Sequence, residues 1–166
     1  NKRLKEFEDI QKTILTDEQI FQLFDKCNLV MIKSILSNKK DFDINKLYRK
    51  SDRHKRGTLL YHACDKNNQV VIQLLLSNTA TDVNKATTDN GVTPLLIACL
   101  NGHEEVVRML LAHATTDVNQ ARTDNGTTPL FMACHNGHEG VVRLLCDHGA
   151  DKSIETTRGD TALSIA

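Results

Sequence analysis

Tryptophan is absent from this chain of 166 residues, and Phe, Tyr and Trp together make up 4% of it. That excludes a core of large rings; aliphatic side chains, alanines and cysteines must fill the interior instead. No run of about 18 apolar residues exists, which excludes a membrane-spanning helix, and the first residues lack the apolar stretch of a signal peptide. Nucleophile-elbow, Walker, HExxH and GxGxxG sequences are missing as well. Net charge is zero, but it is unevenly spread. Residues 1–56 hold fourteen Lys+Arg against nine Asp+Glu, a balance of +5, and residues 57–166 hold seven against twelve, a balance of −5. Such an asymmetry bears on partners rather than on fold.

What the chain does have is a repeat. The stretch 89–119 reads Asp-Asn-Gly-Val-Thr-Pro-Leu-Leu-Ile-Ala-Cys, then Leu-Asn-Gly-His-Glu-Glu-Val-Val-Arg-Met-Leu-Leu, and closes on Asp117-Val118-Asn119. It recurs almost letter for letter from Asp124, 35 positions on. A fixed period of that size marks a solenoid, in which each supersecondary unit packs only on its neighbours. Weaker copies flank the clear pair. A degenerate unit is expected at 17–48, a fair one at 49–84, the clear ones at 85–119 and 120–153, and a truncated fifth at 154–166. Leu4, Phe7, Ile10 and Ile14 share one helical face, so 1–16 reads as an N-terminal helix capping the stack. The chain does not begin with Met, and Ala166 falls within the first helix of a unit. The expectation is a fragment of a longer protein.

Local chemistry explains the unit. Thr93 and Thr128 can N-cap a helix whose first residue is Pro94 or Pro129, where a missing N–H costs nothing. Leu95, Ala98 and Cys99 form the buried stripe, and the small residues admit a close neighbour. Gly102 and Gly137 end that helix at a position needing positive φ, which Asn67 supplies less readily in the second unit. Glu104 and Glu105 open a return helix at its positive end, with Val106, Val107, Leu110 and Leu111 packing inward. Asp89-Asn90-Gly91 and Asp124-Asn125-Gly126 are hairpin signals, placing a two-stranded finger between successive helix pairs. Cys64, Cys99 and Cys134 recur at the period. Units stack about 10 Å apart and a disulfide needs Cα atoms within about 7 Å, so these read as reduced, buried thiols. The compartment is expected to be intracellular, cytoplasmic or nuclear.

Thr93-Pro94-Leu95, Ala98, Gly102-His103, Val106-Val107, Leu110-Leu111 and Asp117-Val118-Asn119, with their equivalents from Thr128 to Asp151, resemble the ankyrin-repeat pattern. The resemblance covers about nine-tenths of the chain by this period. It implies an all-α solenoid of helix-turn-helix units with β-hairpin fingers. Two departures stand out. The family's His after Thr-Pro-Leu is Tyr61, Leu96, Phe131 and Ser164 here, so the family's Thr–His hydrogen bonding is lost and a less stable array than the family consensus is expected. The period is also two residues longer, around Thr115-Thr116 and the finger.

The resemblance implies a non-enzymatic module that binds a partner protein with its finger tips and inner-helix face, as a scaffold or adaptor. The alternative is a regulatory or targeting segment of a larger enzyme whose catalytic domain lies outside this chain. The implied contact residues are the slots the solenoid motif leaves free. They are His54, Lys55, Asp65 and Lys66 in the second unit, and Thr87, Asp89, Asn90, Val92, Leu100 and Asn101 in the third. In the fourth they are Arg122, Asp124, Asn125, Thr127, His135 and Asn136. Leu100, apolar where exposure is expected, is the leading anchor. Asn84 and Asn119, each eight residues after a Leu, match the family's hydroxylated asparagine; otherwise they simply bond the finger backbone.

Of the remaining features, Cys134, His135, His138, Cys146 and His148 cluster in sequence. Both cysteines are expected to face the core and the histidines straddle the Gly137 turn, so neither metal nor cofactor is expected. The run 46–56, with Lys46, Arg49, Lys50, Arg53, Lys55 and Arg56, is either a solvated loop or a surface for an acidic partner, phosphate groups or an import receptor. Nucleic acid is disfavoured, because Tyr48 is the run's only aromatic residue and the whole chain is neutral. A monomer is expected.

Overall fold

The computed structural model describes residues 16–25, 29–38, 42–49 and 56–165; the expected capping helix at 1–16 falls almost wholly outside them. Thr16 opens α1 (Asp17–Asp25). Its hydroxyl accepts from the Gln19 N–H while Gln19 Oε1 accepts from the Thr16 N–H, a reciprocal cap. α2 (Leu29–Asn38) follows, then the antiparallel pair β1 (Tyr48–Arg49) and β2 (Arg56–Gly57). Three similar helix pairs come next: α3 (Leu59–Asp65) with α4 (Gln69–Leu76), α5 (Pro94–Leu100) with α6 (Glu104–Leu111), and α7 (Pro129–His135) with α8 (Glu139–Asp147). A 3₁₀ turn, Ala162–Ser164, ends the described chain.

The caps are those the residues call for. Thr58, Thr93 and Thr128 each accept from the third N–H of α3, α5 and α7 at 3.1 Å. Gly102 and Gly137 sit at φ 69° and 70°, and Asn67 fills the same slot at φ 55°. Inner helices α3, α5 and α7 pack side by side, and α4, α6 and α8 form the outer row. Between the rows lies one aliphatic interior: Leu59, Leu60, Ile72, Leu75, Leu95, Leu96, Val106, Leu110 and Leu145 are all essentially inaccessible. Burying that much apolar area is the main stabilising term.

Successive units are joined by side chains that reach the next unit's backbone. Asn45 Nδ2 donates to Ala80 O (2.7 Å) and its Oδ1 accepts from Asp82 N (2.7 Å). Asn84 repeats this on Thr115 O (2.6 Å) and Asp117 N (2.9 Å). Asn119 makes only the second bond, to Asp151 N at 2.8 Å. The asparagines therefore brace the following unit, not their own finger. On the other edge, His103 Nε2 donates to Asp65 O (3.4 Å) and His138 Nε2 to Leu100 O (3.1 Å).

One of the two extra residues of the long period lies after the outer helix, and the other lies in the finger, which closes Thr87 N on Val92 O but Thr156 N on Asp160 O. After α4 and α6 the chain carries a threonine, Thr81 or Thr116, whose hydroxyl donates to the Leu75 or Leu110 carbonyl at 2.6 Å. After α8 no such residue is inserted. There Gly149, at φ 81°, turns the chain so that Ala150 N bonds Leu145 O directly. Among the described residues, strands pair only at β1–β2. The fingers at 87–92 and 122–127 narrow to turns closed by Thr87 N to Val92 O and Arg122 N to Thr127 O.

Candidate functional site

The end of each inner helix supplies one step of a ridge. Asp65, Leu100 and His135 are the last residues of α3, α5 and α7, and Lys66, Asn101 and Asn136 are their C-caps. The structure brings two steps into contact, since Asn101 Nδ2 lies 3.4 Å from both Asp65 O and Asp65 Oδ1. Asn136 turns back to donate to Met132 O (2.7 Å). The His135 ring stacks on Phe131, with centroids 6.2 Å apart and planes 15° off parallel. His135, Asn101 and Asn136 are exposed.

Leu100 differs from expectation: it is half-buried and packs against the core, because α5 lies between α3 and α7 in the inner row. Phe131 and Met132 are half-buried on α7. The signal for them in the sequence is the replacement of Leu96 and Ile97, their counterparts in α5, by a larger and a more flexible apolar residue.

The finger residues divide sharply. Val92 is 4% exposed and belongs to the core; it precedes the Thr93 cap, the position of a hydrophobic staple. Thr87 and Thr127 are buried too, at 4% and 3%. The Thr87 hydroxyl accepts from Val92 N (3.0 Å), and Thr127 donates to Asn125 Oδ1 (2.6 Å). Their groups close the finger and are not free for a partner. Asn125 is likewise committed inward, accepting from Thr127 N as well.

What remains at the tips is Asp89, Asn90, Arg122 and Asp124. Arg122 grips Asp124 with Nε (2.9 Å) and Nη2 (2.5 Å). The hydrogen bond from Arg122 holds the Asp124 carboxyl below its usual range. Backbone bonds zip the tips together, Thr123 N to Asn90 O (3.1 Å) and Thr157 N to Asn125 O (2.9 Å). His54 and Lys55 lie outside the described residues.

The chemistry of the remaining groups is quiet. Cys64 and Cys99 are buried, and burial pushes both thiols far up, away from the reactive thiolate. Cys134 and Cys146 pack against the core as expected but are only half-buried, and burial still raises the Cys134 thiol. Among the described residues no three His, Cys, Asp or Glu side chains converge to hold a metal ion. A groove of about 550 Å³ lies against Phe24, Leu59, Ala63 and Val71. It contains His62, whose Nε2 donates to Tyr48 O (3.2 Å), and no carboxylate or thiol lines it among the described residues. No described helix is long and apolar enough to cross a membrane.

Comparison with known proteins agrees with this geometry. A family model described as ankyrin repeats (3 copies) matches residues 23–122 and 112–166. Among solved structures, the crystal structure of the ankyrin repeat domain of Bcl-3, "a unique member of the IkappaB protein family", superposes with a TM-score of 0.70 at 28% identity. The match covers 84% of this chain and 57% of that one. No curated protein matches the sequence.

Proposed function

The chain belongs to the ankyrin-repeat family, and from that premise we propose that it is a non-catalytic adaptor module holding a partner protein against its inner-helix ridge and finger tips. Ankyrin repeats are in general protein–protein interaction modules. The observation that carries the reading is the alignment of Asp65, Leu100 and His135, with their caps, at one position in three consecutive units. A rigid row of this kind engages a partner at little conformational cost. The half-buried Leu100 and the Phe131–His135 stack act as its apolar anchors, with the Arg122–Asp124 pair and Asp89 at the rim.

The test is quantitative capture from a cell extract, read by mass spectrometry, with wild type beside Leu100→Asp and His135→Ala. A specific partner should fall by about tenfold with either variant, the loss expected for one interface anchor. Leu100→Asp will also lower stability, since Leu100 packs on the core. The exposed His135 keeps the test independent of folding. An unchanged captured set with His135→Ala at native stability would place the partner elsewhere.

The same reading extends to the two asparagines. Asn119 uses only its oxygen in bracing the next unit, whereas Asn84 uses both ends of its amide. Asn119 is therefore the easier loop to open, and the one an asparaginyl hydroxylase should modify first. Peptide mass spectrometry over a time course checks this; equal or faster oxygen gain on Asn84 would contradict it.

A further inference from the structure

The outer row changes character along the chain. In α6 and α8 the charges are ion-paired: Arg108 reaches Glu104 (3.2 Å) and Glu105 (3.4 Å), and Arg143 reaches Glu139 (3.5 Å). Glu104 also lies over Gly140, where a Cβ would collide with its carboxylate, so the junction of these two helices is filled. By contrast, α4 has no charged residue and α2 has only Lys33. Where the third and fourth units have Glu105 and Gly140, the first two have Val30 and Val70, which are 67% and 54% exposed. We propose that the groove between α2 and α4 docks an amphipathic helix of a partner protein, its apolar face on Leu29, Val70 and Leu74 and its acidic flank toward Lys33.

The shape of the groove carries the proposal. α6 packs close against α4, and α8 against α6, whereas α2 stands further off from α4. The space left between them, about 260 Å³, is lined by Leu29, Lys33, Val70, Gln73, Leu74 and Ser77. Positions 70, 73, 74 and 77 share one helical face and run for about two turns. A groove walled along its length by helix side chains offers no row of unpaired backbone groups, so an extended strand has nothing to pair with. A helix satisfies its own backbone and needs only apolar anchors at i, i+3 or i+4, and i+7.

Charge sets the chemistry of the occupant. Lys33 is exposed and makes no ion pair among the described residues. No described carboxylate lines this groove, nor the larger one of about 550 Å³ that shares Val70 with it and is lined by Lys66. An acidic flank is the complement. A second copy of the chain offers no such helix among the described residues. The acidic helices α1, α6 and α8 bury their own apolar faces, Ile20 and Phe24, Val106 and Leu110, and Val141 and Leu145. The apolar helices α2 and α4 carry no acid.

The experiment measures fluorescence anisotropy of a labelled synthetic helix, leucines on one face and glutamates on the other, with the whole chain. A peptide with lysines in place of the glutamates is the comparison. Wild type should bind the glutamate peptide more tightly. Val70→Glu should weaken that binding by about tenfold, the loss of one interface anchor. It puts an acid in the first turn of α4, where the helix dipole favours one, so the thermal midpoint should hold. Lys33→Glu should reverse the preference between the two peptides, and His135→Ala should change neither affinity, which separates this groove from the inner-helix ridge. No binding of the glutamate peptide, tighter binding of the lysine peptide, or unchanged binding by Val70→Glu at a native midpoint overturns the proposal. So does a loss with His135→Ala at native stability. Sedimentation velocity of the chain alone checks the occupant: a dimer that Val70→Glu dissolves would give the groove to a second copy and overturn the partner helix.

Discussion

Gly91→Ala should destabilise the stack by about 3 kcal/mol, well beyond what the equivalent change costs at Gly137. Both glycines have positive φ, 71° and 70°, and an alanine there costs about 1–2 kcal/mol for the left-handed backbone alone. Their surroundings differ. A Cβ on Gly91 would come within 2.8 Å of the Thr123 backbone nitrogen and 2.7 Å of its Cγ2, whereas one on Gly137 would meet nothing within 4 Å. Thr123 N is the atom that donates to Asn90 O and ties one finger to the next. Displacing it adds the loss of that bond, about 1 kcal/mol. Urea unfolding of the two variants checks the difference, and equal midpoints would mean the fingers are not in contact.

Asn84→Ala should cost about 2 kcal/mol, one for each of the two bonds it makes to the following unit. Asn119→Ala, which removes a single bond, should cost about 1 kcal/mol on the same basis. In an array stabilised by nearest-neighbour terms, such a loss falls on one junction. Hydrogen exchange should therefore accelerate around 112–119 in Asn84→Ala before it changes at the far end. Uniform acceleration, or equal costs at the two sites, would contradict the bracing role.

The features legible in the sequence are those set by local chemistry. Thr93-Pro94 and Thr128-Pro129 announce helix starts because a hydroxyl cap and a missing N–H belong there; Gly102 and Gly137 announce ends because positive φ belongs there. The site was less legible, because exposure depends on neighbours tens of residues away. Val92 and Thr127 differ between otherwise matching units and so look like free slots. One instead fills the core, and the other closes the finger through Asn125. The bonds joining the units span 31 to 38 positions and follow no local pattern. Asn84 was readable as a finger residue, and its reach to Thr115 and Asp117 was not. Leu100 was readable as apolar, but its half-burial depends on how α5 lies against its neighbours.

The central claim is that a partner lies along the inner-helix ridge. Hydrogen exchange of the chain, free and bound to the protein recovered by capture, tests it most directly. Protection should rise at 96–103 and 131–138, where Leu100, Asn101, His135 and Asn136 lie, with Glu104–Leu111 and Glu139–Asp147 unchanged. Protection confined to those outer helices, with 131–138 unaltered, would contradict it.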